Sequence, residues 1–444
     1  MNARDVALQV VRDVFPVDPS SGRGAQAALD YRARSANLDA RDRAFATELA
    51  YGAIKMRRTL DWYLQSFIGD RPQPPPPAVH EILRLAIYEL VYTRADEHAT
   101  VFEFVNLAKK YGHRGVANLV NAVLRSFLRD RPPQPTLDLF ESEDEYLGVA
   151  HSLPNWLVKQ WRAVFDAPTL MAVCTGVNAP AASAITVNAL RTDRATVLAQ
   201  FESAGVSARA SAFVPESILL TDAAYARAHE FDAAGVWWIQ SESSAMAASL
   251  LDAQAGEAAI DVCSGRGSKA LQIGAALRGE GTLCCVEKDG RKVSLLQERL
   301  AIAGIAASVI IGDATTEVVE SARRFDRVLL DAPCSGTGVI GRHPEARWKK
   351  SPADGERLAQ TQSALLNRIA PNVHPGGIVL YAVCSTDPRE TTDVVNAFLE
   401  HQPYERGLTP AAYEPFLTLA GDVIVPPGIA GRDGFYLARL ARRT

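Results

Sequence analysis

Residues 258–269 of this 444-residue chain read AAIDVCSGRGSK, a short apolar run followed by a turn of small residues. The run predicts a buried strand that ends at Cys263, and the residues after it have a helical pattern. Glycine in the turn lets a ligand approach the backbone, and the first turn of the helix offers unpaired N–H groups. A Gly-X-Gly turn is weak evidence by itself, because many strand–helix turns carry glycine for packing. The full Gly-X-Gly-X-X-Gly fingerprint of dinucleotide sites is absent.

Strands and helices alternate on both sides of this segment, from Trp237 to the end of the chain. The candidate strands are 258–263, 282–287, 307–311, 326–331, 377–383 and 434–440, and the candidate helices are 243–252, 268–278, 290–303, 354–370 and 391–399. This alternation predicts a Rossmann-like α/β domain with a parallel, doubly wound sheet that is covered on both faces. Ligands of such sheets bind beyond the carboxyl ends of the strands, so the residues that close each strand are the candidates for function.

Acidic residues close the second and third candidate strands. Glu287 ends the second strand, where a carboxylate can accept hydrogen bonds from both hydroxyls of a ribose. Asp313 follows the third strand, at a position suited to a contact near an adenine. Each acid has an alternative interpretation as a solvated loop residue. A glycine turn and two acids at successive strand ends nevertheless indicate an adenosine-containing cofactor.

Cysteines follow the fourth and fifth candidate strands, in the segments DAPCSG (331–336) and YAVCS (381–385). A thiolate that adds to carbon 6 of a cytosine ring makes carbon 5 nucleophilic towards a sulfonium methyl donor. A carboxylic acid such as Asp331 near the ring nitrogen stabilises the charge that develops there. Cys334, Cys384 and Asp331 are therefore candidate catalytic residues at the ligand-binding edge of the sheet.

The other four cysteines show neither CxxC spacing nor nearby histidine clusters, so we expect no metal site. Cys174, Cys284 and Cys285 are interpreted as packing residues. Cys263 is expected to pack at the end of its strand, with its backbone near the cofactor.

The front of the chain differs from the α/β region. Apolar residues recur at helical spacing over 3–129, which predicts about six amphipathic helices. The proline-rich segment 71–77 predicts a stiff spacer within this region, and prolines with an acidic run predict a linker at about 131–148. Residues 150–235 combine a strand candidate at 184–188 with a helix around 194–203. The predicted domains are a helical domain over 1–133, a small α/β subdomain over 148–235 and a catalytic domain over 236–444.

Whole-chain charge gives little guidance on partners, with 47 Lys and Arg against 51 Asp and Glu. Residues 1–130 contain 18 basic and 15 acidic residues, and the remainder contains 29 and 36. Basic side chains at the front, such as those at 55–58, are candidates for phosphate contacts, although a solvated helix face explains them nearly as well. No apolar run reaches the roughly 18 residues that span a bilayer, and the N-terminus lacks a secretory pattern, so we expect a cytoplasmic protein without a membrane partner.

These motifs resemble those of the RNA 5-methylcytosine methyltransferases of the Sun/RsmB type, which carry an N-terminal NusB-like RNA-binding domain. The family's DxCAAPGGKT-like loop, DAPCSG motif and YxTCS motif correspond to 261–270, 331–336 and 381–385. Supporting matches are Gln240, 341–348 and 433–436, together with 38–43 and 118–125 in the helical front. The resemblance covers nearly the whole chain. It implies S-adenosyl-L-methionine as cofactor and RNA, most directly ribosomal RNA, as partner, and nothing in the sequence requires more than a monomer.

The resemblance also implies roles for individual residues. Cys384 corresponds to the nucleophile, Cys334 to the residue that helps release the methylated product, and Asp331 to a contact with the base. The implied cofactor-binding residues are Cys263, Ser264, Gly265, Arg266, Gly267, Ser268, Lys269, Glu287, Asp313 and Asp331.

The chain departs from the family pattern in three places. Arg266 replaces the proline of the cofactor loop, and a cation beside a sulfonium group is expected to weaken cofactor binding unless Gly265 compensates by allowing the same close approach of the backbone. Glu287 stands where Asp is commoner, and Val383 replaces a Thr before the nucleophile. Two alternatives stay open: a transfer RNA cytosine-5 methyltransferase, and a non-catalytic RNA-binding or assembly factor with a decayed cofactor loop.

Overall fold

The structure is a computed structural model, and it describes residues 1–69, 75–221, 235–316, 319–320 and 322–444. These residues form two compact units. Unit 1 contains Met1–Ala163 and Arg342–Lys349, and unit 2 contains Val164–Gly341 and Lys350–Thr444. Residues 71–74 of the predicted polyproline spacer lie outside the described residues.

Among the described residues, helices come first along the chain, and strands begin at residue 183. The α-helices are α1 (Ala3–Val14), α2 (Ala25–Ala36), α3 (Ala40–Lys55), α4 (Arg57–Ile68), α5 (Pro77–Tyr92), α6 (Glu97–Tyr111), α7 (Arg114–Asp130), α8 (Glu143–Ala150), α9 (Asn155–Arg162), α10 (Ala167–Gly176), α11 (Arg194–Ser203), α12 (Glu242–Leu251), α13 (Ser268–Ala276), α14 (Gly290–Ala303), α15 (Ala346–Lys349), α16 (Pro352–Ile369) and α17 (Thr392–His401). The strands are β1 (Ser183–Val187), β2 (Ala208–Ala210), β3 (Ser217–Leu220), β4 (Trp237–Ile239), β5 (Ala258–Asp261), β6 (Thr282–Glu287), β7 (Ser308–Ile311), β8 (Phe325–Asp331), β9 (Val373–Val383), β10 (Tyr404–Arg406), β11 (Val423–Val425) and β12 (Phe435–Arg442).

Unit 1 is helical, as the sequence predicts, but the described part of its first 130 residues contains seven α-helices rather than about six. The helix without a strong sequence signal is α2, because three of its four buried residues are alanines. The prediction of a linker through the acidic run was wrong. Ser142 accepts a hydrogen bond from the backbone of Glu145, and the acidic residues form the first turn of α8, where they complement the helix dipole.

A second stretch of chain, Arg342–Lys349, completes unit 1. The Trp348 indole donates a hydrogen bond of 2.7 Å to the carbonyl of Ile54. Glu345 accepts one of 3.0 Å from the backbone N–H of Ala25, at the start of α2. The guanidinium of Arg347 is buried and donates to the carbonyl of Ser152, and burial lowers its pKa to about 9. This short segment is therefore packed as part of the interior of unit 1.

Unit 2 contains a small antiparallel sheet of order β2-β3-β1-β4. The predicted strand at 184–188 is β1, and the predicted helix around 194–203 is α11. Val197 and Phe201 of α11 pack with Ile185 and Ile218 of the sheet in one buried cluster. This part of the chain thus has the mixed α/β character that the sequence indicates.

The larger sheet of unit 2 has the order β10-β12-β9-β8-β5-β6-β7, with β11 paired to β12. All six predicted strands are present, and the five from β5 to β9 are parallel to one another. The prediction of a wholly parallel sheet was wrong, because β12 runs antiparallel to β9 and β10 and β11 run antiparallel to β12. The chain between β9 and β12 contains two short strands and tight turns as well as α17, so it does not form the single helical crossover that a parallel neighbour needs.

Helices cover both faces of the larger sheet. Side chains of β9 alternate between two cores: Ile378, Leu380 and Ala382 pack with residues of α12, α13 and α14, whereas Val379, Tyr381 and Val383 pack with residues of α16 and α17. Both cores keep the sheet rigid, and this fixes the strand ends where the predicted site residues lie. Within the described ranges, no helix has the length and apolar character required to cross a membrane.

Candidate active site

The loop between β5 and α13 owes its shape to two glycines. Gly265 and Gly267 have φ values of 57° and 86°, in the left-handed region that favours glycine. A Cβ atom on Gly267 would lie only 2.3 Å from the side chain of Leu296 on α14. The N–H of Gly267 donates to the carbonyl of Ser264, which closes a tight turn just before α13 begins.

Glu287 joins this loop to the loop after β6. One carboxylate oxygen accepts a hydrogen bond of 2.8 Å from the N–H of Gly265, and the other accepts one of 2.9 Å from the N–H of Asp289. Each oxygen has further lone-pair capacity, so the carboxylate can also accept ribose hydroxyls. Asp313, after β7, accepts hydrogen bonds from the backbone and hydroxyl of Thr315, and these bonds lower its pKa.

A cavity of about 520 Å³ opens at the carboxyl ends of the parallel strands. Its volume is typical of sites for small ligands and cofactors. Seven of the predicted site residues line it, namely Cys263, Gly265, Glu287, Asp313, Asp331, Cys334 and Cys384. The other predicted residues, Ser264, Arg266, Gly267, Ser268 and Lys269, are not among its lining residues in the described part of the chain.

Arg266, the residue that replaces the family's proline, is exposed and its side chain does not line the described cavity. Its carbonyl accepts a hydrogen bond of 2.6 Å from the guanidinium of Arg299, which also donates to the hydroxyl of Ser268. Arg299 thus holds the loop from the side of α14. The structure therefore places the Arg266 side chain outside the lining of this cavity, and its effect on cofactor affinity stays a prediction.

The two candidate thiols lie next to each other, with Cys334 Sγ and Cys384 Sγ 3.0 Å apart. The parallel pairing of β8 with β9 brings them together, because Asp331 lies opposite Ala382 in the register and each cysteine follows within a few residues. The pKa of Cys334 is raised well above its ordinary value, first by its hydrogen bond to Cys384 and then by burial. Cys334 therefore keeps its proton at neutral pH, and either sulfur can be the hydrogen-bond donor of the pair.

Asp331 and Lys269 form an ion pair of 2.6 Å beside the thiols. Burial lowers the pKa of Lys269, but the charge and hydrogen bond of Asp331 outweigh burial, and the pKa is raised overall. Lys269 also lies 5.5 Å from the ring centre of Phe435, a distance suitable for a cation–π contact. Lys269 lies at the end of the predicted cofactor loop in sequence, but its ammonium group binds Asp331 at the end of β8.

Asp261, at the end of β5, is fully buried, and burial together with the charge of Asp331 raises its pKa to about 7. With a folded-state pKa above the ordinary 3.8, the contribution of this carboxyl group to stability is fully present below about pH 4 and is lost as the pH rises through 7. We expect Asp261→Asn to remove this loss, with a gain of up to about 4 kcal/mol at pH 8 and little change at pH 4. Urea unfolding midpoints measured from pH 4 to pH 8 provide the test, with exposed Asp252→Asn as the control. Parallel pH curves for wild type and Asp261→Asn would contradict the assignment.

Two further residues of this site escaped the sequence analysis. Glu390 is fully buried and accepts hydrogen bonds from Ser335 and Ser385, the residues that follow the two cysteines. Gln362 of α16 donates to Glu390 and to the carbonyl of Pro333. Gln362, a helix residue at an ordinary polar position, gives no sequence signal. Only the acid five residues after Ser385 was within reach of motif reasoning.

The remaining cysteines have packing roles in unit 2. Cys174, Cys284 and Cys285 are buried, as predicted. Cys263 is partly buried at the end of β5, and its pKa is raised by burial and by the neighbouring carboxylates. Among the described residues, no group of three or more His, Cys, Asp or Glu side chains is placed to hold a metal ion.

The sheet and the cavity at its edge identify the class of protein. Five parallel strands with an antiparallel strand beside the last, and a cavity of about 520 Å³ at the strand ends, are typical of the Rossmann-like methyltransferases that use S-adenosyl-L-methionine.

Family comparisons assign a match to each part of the chain. Residues 248–441 match the family described as 16S rRNA methyltransferase RsmB/F, residues 1–129 match the NusB family, and residues 153–226 match the ferredoxin-like domain of RsmF/B-like methyltransferases. The chain is 33% identical to the probable ribosomal RNA small subunit methyltransferase B of Bacillus subtilis. The match covers 100% of this chain and 99% of that protein. It is 31% identical to the ribosomal RNA small subunit methyltransferase B of Pseudomonas putida, again covering 100% of this chain and 99% of that protein.

The chain therefore belongs to the RsmB/F family of 16S rRNA methyltransferases, and the cofactor of this family is S-adenosyl-L-methionine. The fold is shared with the crystal structure of PH0851, at a TM-score of 0.79 and 22% identity over 99% of both chains. The predicted combination of a NusB-like helical domain, a small α/β subdomain and a Rossmann-like methyltransferase domain is confirmed.

Proposed function

We propose that this enzyme methylates carbon 5 of a cytosine in small-subunit ribosomal RNA, and that Cys384 forms a covalent bond to carbon 6 of that base. The observation that carries the proposal is the pair of thiols, 3.0 Å apart and next to Asp331, on the wall of the cofactor-sized cavity. The curated relatives, which are named as small-subunit rRNA methyltransferases, support the choice of polymer.

The residues around the cavity fit S-adenosyl-L-methionine. Glu287 would accept the ribose hydroxyls, Asp313 would lie near the adenine, and the backbone at Gly265 would allow close approach. The bound cofactor supplies an electrophilic methyl group on a sulfonium sulfur. The acidic side chains that line the cavity, including Asp331, favour a cationic sulfonium there by charge.

The two cysteines divide the chemistry between them. Cys334, whose pKa is raised, keeps its proton and can donate a hydrogen bond to Cys384 once Cys384 carries the negative charge, so we assign Cys384 as the nucleophile. Cys384 Sγ then bonds to carbon 6, and the electron density moved onto the ring makes carbon 5 nucleophilic. Lys269 holds one oxygen of Asp331, which leaves the other able to accept a hydrogen bond from the exocyclic amine of the base or, when it carries a proton, to donate to the ring nitrogen.

Release of the methylated base needs a general base, such as solvent water, to take the proton from carbon 5, and it needs the bond from carbon 6 to Cys384 to break. The electron pair of the departing carbon–hydrogen bond restores the ring double bond, and the electron pair of the carbon–sulfur bond returns to Cys384. Cys334 is the nearest described thiol to that sulfur and can donate its hydrogen bond to the leaving thiolate. We therefore assign Cys334 to product release.

Mapping of 5-methylcytosine by bisulfite sequencing of cellular RNA, with and without this protein, tests the function. We expect one or a few cytosines of small-subunit ribosomal RNA to lose protection when the protein is removed, and transfer RNA to stay unchanged. Protection lost from transfer RNA alone would replace the proposed substrate. An unchanged map in both RNAs, together with no S-adenosyl-L-methionine binding by calorimetry, would favour a non-catalytic RNA-binding factor.

A further inference from the structure

Glu390 is a carboxylate with no exposure to solvent, at the end of the turn Pro388–Glu390 between β9 and α17. A buried carboxylate is costly unless its oxygens are well hydrogen-bonded. Its neighbour Arg389 pairs with Asp387 instead, at 2.6 Å. The groups that bind Glu390 therefore explain how the fold retains a charge at this position.

Four hydrogen bonds reach the carboxylate, and all four donors are uncharged. One oxygen accepts from the backbone N–H of Ser335 at 2.8 Å and from the side-chain amide of Gln362 at 3.0 Å. The other accepts from the hydroxyl of Ser335 and from the hydroxyl of Ser385 at 2.6 Å. Three of these four bonds come from the two serines that directly follow Cys334 and Cys384.

We propose that Glu390 is a positioning residue for the methyl-transfer reaction: by binding both serines at once, it holds the two cysteine-bearing loops together so that both thiols reach the same base. The effect of Glu390 on catalysis rests on the proposed function, whereas the bridge from Ser335 to Ser385 is a property of this chain alone. Without Glu390, the loops after β8 and β9 lose the carboxylate that bridges Ser335 to Ser385.

The distance between the two thiols is the quantity that the bridge from Ser335 through Glu390 to Ser385 controls. The two Sγ atoms are 3.0 Å apart, and the two serine Oγ atoms, one residue further along each loop, are 3.2 Å apart. A reaction in which one thiol adds to the ring and the other assists its departure requires both sulfurs at one base edge. Errors of about 1 Å in such positions cost on the order of 100-fold in rate.

Glu390 is itself held by the body of unit 2. Gln362 of α16 binds the carboxylate and also donates to the carbonyl of Pro333 at 2.9 Å, just before Cys334. The hydroxyl of Tyr381 on β9 lies 2.6 Å from the backbone carbonyl of Glu390 and 3.0 Å from Gln362 Oε1. The bridge between the loops is thus anchored to a helix and to a central strand.

The negative charge of Glu390 also affects the protonation of Cys334, in addition to holding the two loops together. The pKa of Cys334 is raised by its hydrogen bond to Cys384, by burial, and then by nearby negative charges that include Glu390. A protonated Cys334 is the form that donates to Cys384. Glu390→Gln removes this charge but keeps hydrogen bonds to the serines. We therefore expect it to shift the pH profile of the reaction while the distance between the two thiols changes little.

Oxidative cross-linking of the full-length protein measures the placement without RNA. Diamide takes two electrons and two protons from Cys334 and Cys384, and so joins them as a disulfide while it is reduced to the hydrazine. We expect Glu390→Ala to slow this cross-link at least tenfold, as quantified by mass spectrometry of the linked peptides. A wild-type cross-linking rate in Glu390→Ala would overturn the proposal.

Three further variants separate positioning from general loss of stability. Glu390→Gln retains the shape and one acceptor oxygen, and its amide can donate to the serine hydroxyls, so we expect cross-linking within threefold of wild type. Asn372→Ala removes two hydrogen bonds to the carbonyls of Glu320 and Arg323 elsewhere in unit 2 and should lower the melting temperature without slowing the cross-link. If Glu390→Ala does not fold, Ser385→Ala removes one arm of the bridge and is expected to slow the cross-link, and a wild-type rate there would overturn the proposal.

Kinetics with small-subunit ribosomal RNA then test the catalytic consequence. We expect Glu390→Ala to lower kcat about 100-fold while the KM for RNA and the Kd for S-adenosyl-L-methionine change less than threefold, because Glu390 does not line the described cavity. Glu390→Gln should recover most of kcat but shift the pH profile. A slowed cross-link in a protein that methylates no ribosomal RNA would contradict the proposed function alone, whereas unchanged kcat and cross-linking would contradict only the role of Glu390.

Discussion

Replacement of Cys384 by alanine will abolish methyl transfer to ribosomal RNA, with a loss of at least about 1,000-fold in kcat. Loss of an enzyme nucleophile costs up to about 10⁶-fold in well-studied hydrolases, and carbon 5 of cytosine has no comparable reactivity until a sulfur adds at carbon 6. Cys334 is a poor replacement, because burial and the nearby charges of Glu390 and Asp331 still raise its pKa after the hydrogen bond to Cys384 is lost. Transfer of a labelled methyl group from S-adenosyl-L-methionine to small-subunit ribosomal RNA measures the effect.

Cys174→Ala is the matched control, since Cys174 is a buried cysteine on α10 that does not line the described cavity. It should leave methyl transfer within about twofold of wild type. S-adenosyl-L-methionine affinity of Cys384→Ala should be similar to that of wild type, because the cofactor contacts are expected at Glu287, Asp313 and the loop after β5. Full methyl transfer by Cys384→Ala would remove this cysteine from the role of nucleophile.

Replacement of Cys334 by alanine will trap the enzyme on its RNA. The variant retains Cys384, so the carbon–sulfur bond still forms, but the thiol that assists departure of Cys384 is gone. We expect a protein–RNA adduct that survives denaturing electrophoresis and carries the methyl group, at a level far above that of wild type.

The double variant Cys334→Ala/Cys384→Ala distinguishes this adduct from adventitious cross-linking. It should form no adduct, because it lacks the sulfur that bonds to the base. An adduct that persists in the double variant, or that is absent from Cys334→Ala while Cys384→Ala remains active, would mean that the roles of the two thiols are reversed or wrong.

The parts of the site that the sequence predicts share one physical origin. Parallel strands end at a common edge, so a pattern that identifies the strands also groups Glu287, Asp313, Asp331, Cys334 and Cys384 around one cavity. The alternation of apolar residues and helical segments was enough to identify those strands. The boundaries differ by a few residues, most at β9, which begins at Val373 rather than at the predicted 377.

The features that escaped prediction depend on tertiary contacts between polar residues. The ion pair between Lys269 and Asp331, and the bonds from Ser335 and Ser385 to Glu390, join residues that no periodicity links. The antiparallel direction of β12 could not be predicted from the apolar pattern either, because an apolar strand has the same composition whether it runs parallel or antiparallel to its neighbour. The exposed position of Arg266, outside the residues that line the cavity, was also beyond prediction, because composition does not reveal on which side of a loop a side chain lies.

Unit 1 is assembled from two stretches of chain, and this constrains the order in which the protein matures on the ribosome. Met1–Ala163 is synthesised early, but Trp348 and Arg347, which bind Ile54 and Ser152, follow only after most of unit 2 has been made. At about 5–20 residues per second, the interval between residues 163 and 349 is roughly 10–40 s. Throughout that time, unit 1 lacks the segment Arg342–Lys349. The helical unit is therefore incomplete until this segment, which lies just after the DAPCSG motif, leaves the ribosome.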